Sequence, residues 1–273
     1  MQLKKREIFS EPIIGEIDQG YIFCGGKSDL YPGRNVLGII ITPRCDIARN
    51  KTDEIYYLPV VQLNDWKEIE FPRLYCNDLL NDINSQLNKS FTNLSLSPSI
   101  IDKFSVTDIR DILIERKIPK KSLIDISKKL DEKSQIEKYF KTTNNQIIEN
   151  LLKEHPGIRK TILKELISNK LPNYYVIESA ETYYIIRLRE LKKLQIKIFR
   201  NIGKGLSYQE LTPKDFEQND IQIINPDEDL LFPIYVLRSP YIEHLMQCFI
   251  QWFSRIGVED IDEHTCEYII KNW

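Results

Sequence analysis

The stretch RNVLGIIITPRCDIARNKTDEIYYLPVVQL, residues 34–63, places two apolar runs on either side of a polar segment. Residues 36–41 and 55–61 are short, rich in β-branched or aromatic residues, and bounded by glycine, proline, aspartate or asparagine, which is the usual punctuation of strands. The segment between them carries cations, a thiol and a carboxylate, namely Arg44, Cys45, Asp46, Arg49 and Lys51. The sequence therefore predicts a strand, a functional loop and a second strand.

Outside this stretch the pattern changes from β to α and back. Residues 66–171 are rich in lysine, asparagine and serine, show helical spacing of apolar residues and are interrupted by prolines that mark helix boundaries. β-like runs return as a hairpin at 174–177 and 183–188, and further strands are predicted at 197–199, 221–224 and 232–237.

The chain closes with helical signals. Ser239 and Pro240 suit the N-cap and first position of a helix whose apolar stripe runs to Ile256, and a shorter helix is predicted over 262–270. We therefore expect an α+β protein in which a β-barrel is interrupted by a helical insertion. The predicted parts are residues 13–65 for the first half of the barrel, 66–172 for the insertion, 173–237 for the second half, and 238–273 for C-terminal helices packed on the barrel.

Composition excludes several classes of protein. Lysine plus arginine (38) nearly balance aspartate plus glutamate (40), so binding to nucleic acid requires a local basic surface. The five cysteines are scattered without a CxxC pair, which is typical of reduced thiols rather than of a disulfide framework. No apolar run approaches the ~18 residues of a membrane span. A cytoplasmic protein without membrane partners is expected.

Several motifs near the N-terminus carry a family resemblance. They are Gly15-Glu16-Ile17, Gly25-Gly26, Arg34, the apolar run 36–41, Thr42-Pro43 and Leu58-Pro59-Val60. In this order they resemble the MazF/PemK toxins, small SH3-like barrels that cleave RNA without metal. The resemblance covers about the first quarter of the chain. It implies an SH3-like barrel here and a prokaryotic setting in a toxin–antitoxin or phage-defence system.

The resemblance also implies a role for Arg34, which corresponds to the arginine that the toxins place on the scissile phosphate. Cleavage by a neighbouring 2′-hydroxyl needs a base and a cation that stabilises the phosphorane, and Thr42 and Asp46 complete the candidate catalytic set. Val60 follows Pro59, however, where the toxins place threonine or serine. The leading hypothesis is therefore a non-catalytic nucleic-acid or protein interaction module. The alternative is a metal-independent endoribonuclease, which leaves enzymatic activity open.

The candidate binding residues lie in two segments of the chain. They are Arg44, Cys45, Arg49 and Lys51 in the first loop, and Arg187 and Arg189 at the end of a predicted strand. Because side chains alternate along a strand, Arg187 and Arg189 are expected on one face with Tyr183 and Ile185, as in a nucleic-acid groove. The expected partners are RNA or DNA, a protein from the same operon, or a second copy of the chain. An ordinary solvated surface is the competing interpretation.

The cysteines and histidines offer two further kinds of chemistry. Cys45 beside Arg44 is either an activated thiol or a small packed residue next to a turn-forming Asp46. His244 and Cys248 lie four residues apart on the predicted C-terminal helix, and with His264 and Cys266 they offer four zinc ligands of two types. Their spacing matches no standard finger or ribbon. No cofactor and no metal ligand are predicted.

Overall fold

The computed structural model of the protein describes residues 8–179, 182–225 and 230–253. These residues form two compact units. The first contains the described parts of Met1–Gln62 and Pro172–Trp273, and the second is Leu63–Leu171. Within the described residues, no helix has both the length and the apolar character needed to cross a membrane.

The first unit is built on an antiparallel sheet that curls into half of a barrel. The strands of this unit are β1 (Phe9–Ser10), β2 (Tyr21–Cys24), β3 (Leu37–Ile40), β4 (Glu54–Gln62), β5 (Tyr174–Glu178), β6 (Tyr183–Arg187), β7 (Lys192–Gln195), β8 (Leu206–Ser207), β9 (Leu230–Leu231) and β10 (Pro233–Leu237). The order across the sheet is β1-β10-β2-β3-β4-β6-β5, with β7 also paired to β4, and β8 pairs separately with β9.

Strand β4 organises this sheet because it is long enough to pair with three others. Residues 57–60 pair with β3, residues 54–57 with β7, and residues 60–62 with β6. The connection between β6 and β7 therefore turns beside β4. This turn, residues 188–191, carries a charged cluster described below.

Both faces of the sheet are covered, because successive strand residues point to opposite sides. The helices of this unit are α1 (Arg44–Ala48), α9 (Ile196–Lys204), α10 (Pro213–Gln218) and α11 (Tyr241–Phe253). On one face Ile39 and Leu58 share a core with Leu245 of α11. On the other face Tyr57 shares a core with Phe199 of α9. The sheet is thus held between these two helices.

The second unit is helical within its described residues. Its helices are α2 (Leu63–Ile69), α3 (Phe71–Asn93), α4 (Ile100–Lys103), α5 (Val106–Glu115), α6 (Lys120–Thr142), α7 (Asn145–Glu154) and α8 (Pro156–Ile167). Local sequence fixes several ends: Ser105 and Asp108 form a capping box before α5, and Pro156 opens α8. Buried Tyr75, Leu79 and Ile83 recur every four residues along α3 and form its core face.

The structure confirms some predicted elements and corrects others. The strands predicted at 36–41 and 55–61 are β3 and β4, and the C-terminal helix begins as expected and is described to Phe253. The predicted helix at 262–270 lies outside the described residues. The strand predicted at 197–199 was wrong, because this segment belongs to α9. Part of the predicted loop is the short helix α1.

Candidate nucleic-acid interface

Thr42 lies just after β3 and is buried. Its hydroxyl accepts a hydrogen bond from the Tyr56 N–H at 2.7 Å and donates to the Tyr56 carbonyl at 3.4 Å. The hydroxyl therefore supplies the acceptor for the Tyr56 N–H, and its donor and acceptor functions are both used within the fold.

The segment after Thr42 forms α1 and the turn that follows it. Arg44 forms an exposed ion pair with Asp18 at 3.5 Å, and Lys51 forms another with Asp46 at 3.8 Å. Arg49 is exposed and caps the C-terminal end of α1. Exposed pairs at these distances contribute little to stability, so these cations remain accessible to a ligand.

Arg34 lies in the loop that precedes β3. It borders a cleft of about 50 Å³ whose walls include Cys24, Gly25 and Asn35. Gln222 fixes this loop by donating its side-chain amide to the Arg34 carbonyl at 2.7 Å. The cleft offers room for only a small group.

The predicted catalytic residues lie on either side of β3 in the chain. Arg34 precedes this strand, whereas Thr42 and Asp46 follow it. The four residues of β3, at ~3.3 Å per step, separate the two ends by about 10 Å. Strand β3 therefore lies between Arg34 and the other two residues, and their catalytic roles stay predictions.

Arg187 ends β6 and is largely sheltered, with 13% of its side chain exposed. It forms an ion pair with Glu190, donates to the Ser28 hydroxyl at 2.9 Å, and lies 5.6 Å from the centre of the Tyr31 ring. Arg189, in the turn, is exposed. The two arginines therefore do not form a shared exposed row, and the neighbouring Ile185 is fully buried rather than lining a groove.

Glu190 is the centre of the charged cluster around Arg187. Its carboxylate accepts from the Ser28 hydroxyl at 2.7 Å and from the Asp29 N–H at 2.8 Å, and lies 3.3 Å from the buried Lys192 ammonium. Lys192 also donates to Asp29 at 2.8 Å, which lowers the pKa of the Asp29 carboxyl. The cluster ties the loop between β2 and β3 to the turn between β6 and β7. Sequence reasoning missed Ser28, Asp29 and Glu190, because their partners are distant in the chain.

Helix α9 lies against the segment that contains α1. Arg200 of α9 donates to the side-chain carbonyl of Asn50, and the Ile196 N–H donates to the Asp53 carbonyl at 2.9 Å. Ile47 of α1 packs at the edge of the same core as α9. These contacts join the two segments into one face of the first unit.

Exposed cations from both segments occupy this face. We call it the α1–α9 surface, and it comprises Arg49, Lys51, Lys197, Arg200 and Lys204. The three from α9 are spaced by three and four residues and therefore share one side of that helix. Asp46 and Asp53 are interspersed, so the excess of positive charge is moderate.

Sequence reasoning missed the α9 cations because it read the segment as a strand. Residues 197–204 nevertheless carry a helical pattern. Ile198, Phe199 and Ile202 have helical spacing, and the cations 197, 200 and 204 repeat on the opposite side.

Cys45, Cys248 and His244, considered above for thiol or zinc chemistry, contact neighbouring side chains of the fold. The exposed Cys45 thiol donates weakly to Asp46 at 3.5 Å. Cys248 is buried, which raises the pKa of its thiol, and lies 3.8 Å from a ring nitrogen of His244. The other ring nitrogen of His244 lies 3.1 Å from the Tyr175 hydroxyl. His264 and Cys266 lie outside the described residues.

Comparison of the chain with protein-family models, with curated proteins and with solved structures finds no match. The resemblance to the MazF/PemK toxins therefore rests on the sequence motifs alone.

Proposed function

We propose that the protein is a non-catalytic nucleic-acid-binding module that holds RNA on the α1–α9 surface. The observation that carries this proposal is the contact between Arg200 and Asn50, which unites the cations of two segments on one exposed face. Phosphates are held mainly by such accessible lysine and arginine side chains, and binding releases counterions.

Two features favour binding over cleavage. Arg34 is separated by β3 from Thr42 and Asp46, and the Thr42 hydroxyl is already hydrogen-bonded to Tyr56. RNA is the preferred ligand because of the resemblance to RNA-cleaving toxins. Tyr208, exposed four residues after the end of α9, adds an aromatic face of the kind on which unpaired bases stack.

The wider setting is part of the same proposal. The curled antiparallel sheet is compatible with an SH3-like, MazF/PemK-like barrel, and the family resemblance favours a cytoplasmic role in a prokaryotic toxin-like or phage-defence system. A protein partner from the same operon and a homodimer stay predictions.

The test is the affinity of the full chain for a labelled, mixed-sequence single-stranded RNA, measured by fluorescence anisotropy in EDTA at several salt concentrations. The double variant Lys197→Glu/Arg200→Glu should bind about tenfold more weakly and show a shallower salt dependence. Its matched control, Lys120→Glu/Lys121→Glu, makes the same charge change at the exposed start of α6 and should bind like the wild type.

Equal affinities of the two double variants would overturn the assignment of the surface. The same reactions are run on a gel to detect cleavage. RNA that is cut by the wild type but not by Arg34→Ala would overturn the non-catalytic proposal in favour of the ribonuclease.

A further inference from the structure

A group of metal-ligand side chains lies in the helical unit. Glu132 projects from α6, Glu154 ends α7, and His155 lies between α7 and α8. One donor atom from each lies within 4.8 Å of the others.

Two donors of this group are buried, and one of them makes no hydrogen bond. The Glu132 side chain is 7% exposed, and its carboxylate lies 3.3 Å from His155 Nε2 and 3.5 Å from the Lys128 ammonium. The Nε2 atom of His155 is buried and has no hydrogen-bond partner in the described part of the chain. Buried polar atoms are normally paired, so an unpaired ring nitrogen beside a buried carboxylate indicates a missing ligand.

The spacing of these donors suits a metal ion. His155 Nε2 and Glu132 Oε1 lie 3.3 Å apart. A tetrahedral zinc ion with bonds of about 2.0–2.2 Å holds its donors about 3.3–3.5 Å apart. One imidazole and two carboxylates are also a donor set that zinc accepts, with one coordination position left open.

We propose that Glu132, Glu154 and His155 bind a zinc ion that joins α6 to the corner between α7 and α8. Tyr75 of α3 supports this corner by donating its hydroxyl to the Leu151 carbonyl at 2.7 Å. The site is therefore held by three helices.

Lys128 is the competitor for this site. Its ammonium lies 3.5 Å from Glu132 and 3.7 Å from Glu154, so it partly neutralises both carboxylates. The side chain is 65% exposed and can turn into solvent when a metal binds. Lys128→Met should therefore bind zinc more tightly than the wild type.

The experiment measures zinc affinity and bound zinc of the EDTA-treated, dialysed full chain, using a chromophoric chelator as competitor. Glu132→Gln and Glu154→Gln should each weaken binding by at least about tenfold. Glu149→Gln, an exposed change on α7, should bind like the wild type. Glu154 is half-exposed, so its variant keeps the test valid if Glu132→Gln fails to fold.

One equivalent of zinc that is lost in both ligand variants and retained in Glu149→Gln supports the site. Zinc that persists in both ligand variants, or binding below one equivalent in the wild type, overturns it. Thiol-bound zinc belongs to the overturning outcome, because it does not depend on Glu132 or Glu154.

Discussion

The basic segment at residues 44–51 and the basic turn at 187–193 differ in how far their cations are exposed and in how they are paired with carboxylates. In the first, Arg49 is exposed and Lys51 meets its carboxylate only at 3.8 Å at the surface. In the second, Arg187 and Lys192 have 13% and 9% of their side chains exposed and share the carboxylate of Glu190. Burial and a shared acid turn the second group into a structural clamp, while the first stays available to a ligand.

The largest effect is expected from removing the acid that the second group shares. Glu190→Ala removes the carboxylate that the sheltered Arg187 and Lys192 share, and should lower the free energy of unfolding by about 3 kcal/mol. Asp46→Ala, in the exposed segment, should change it by less than about 0.5 kcal/mol. Both values are measured by urea denaturation followed by circular dichroism. Similar small losses in the two variants would mean that the turn is no clamp.

Replacing one arginine by lysine in each segment tests the same difference. Arg187 uses its planar group to contact Ser28, Glu190 and the Tyr31 ring, which lysine cannot reproduce. Arg187→Lys should therefore cost about 1–2 kcal/mol in the same denaturation experiment. Arg49→Lys should cost nothing measurable. An equally stable Arg187→Lys protein would show that charge alone matters at this position.

The smallest expected effect on stability concerns Asp29, at the edge of the clamp, and it depends on pH. The hydrogen bond from Lys192 lowers the pKa of Asp29. Asp29 therefore stabilises the fold above its unfolded pKa of about 3.9, and this contribution is lost as the pH falls through the lower folded value.

Asp29→Asn should thus be less stable than the wild type at neutral pH. Because 71% of the Asp29 side chain is exposed, the difference should stay below about 1 kcal/mol. Denaturation at a series of pH values should show the two proteins converging in acid. A difference that grows as the pH falls would contradict the assigned role of Lys192.

Local pattern was enough to predict several elements of the fold. The alternation and punctuation around residues 34–63 predicted β3 and β4, and the Ser239-Pro240 signal predicted the start of the C-terminal helix. The same reasoning failed at 197–199, where a run of three residues could not distinguish a strand from the helix that contains it. Short windows carry too little periodicity to separate the two.

Residue pattern alone predicts the mixed α and β composition, the strands on either side of the 44–51 segment, and the presence of cations in two places. Which of these cations are exposed depends on the folded chain, since Glu190 contacts Ser28 across 162 positions of the chain and Arg200 contacts Asn50 across 150. The physical reason is that burial and pairing are set by partners distant in the chain, whereas helix and strand preferences are set by neighbours.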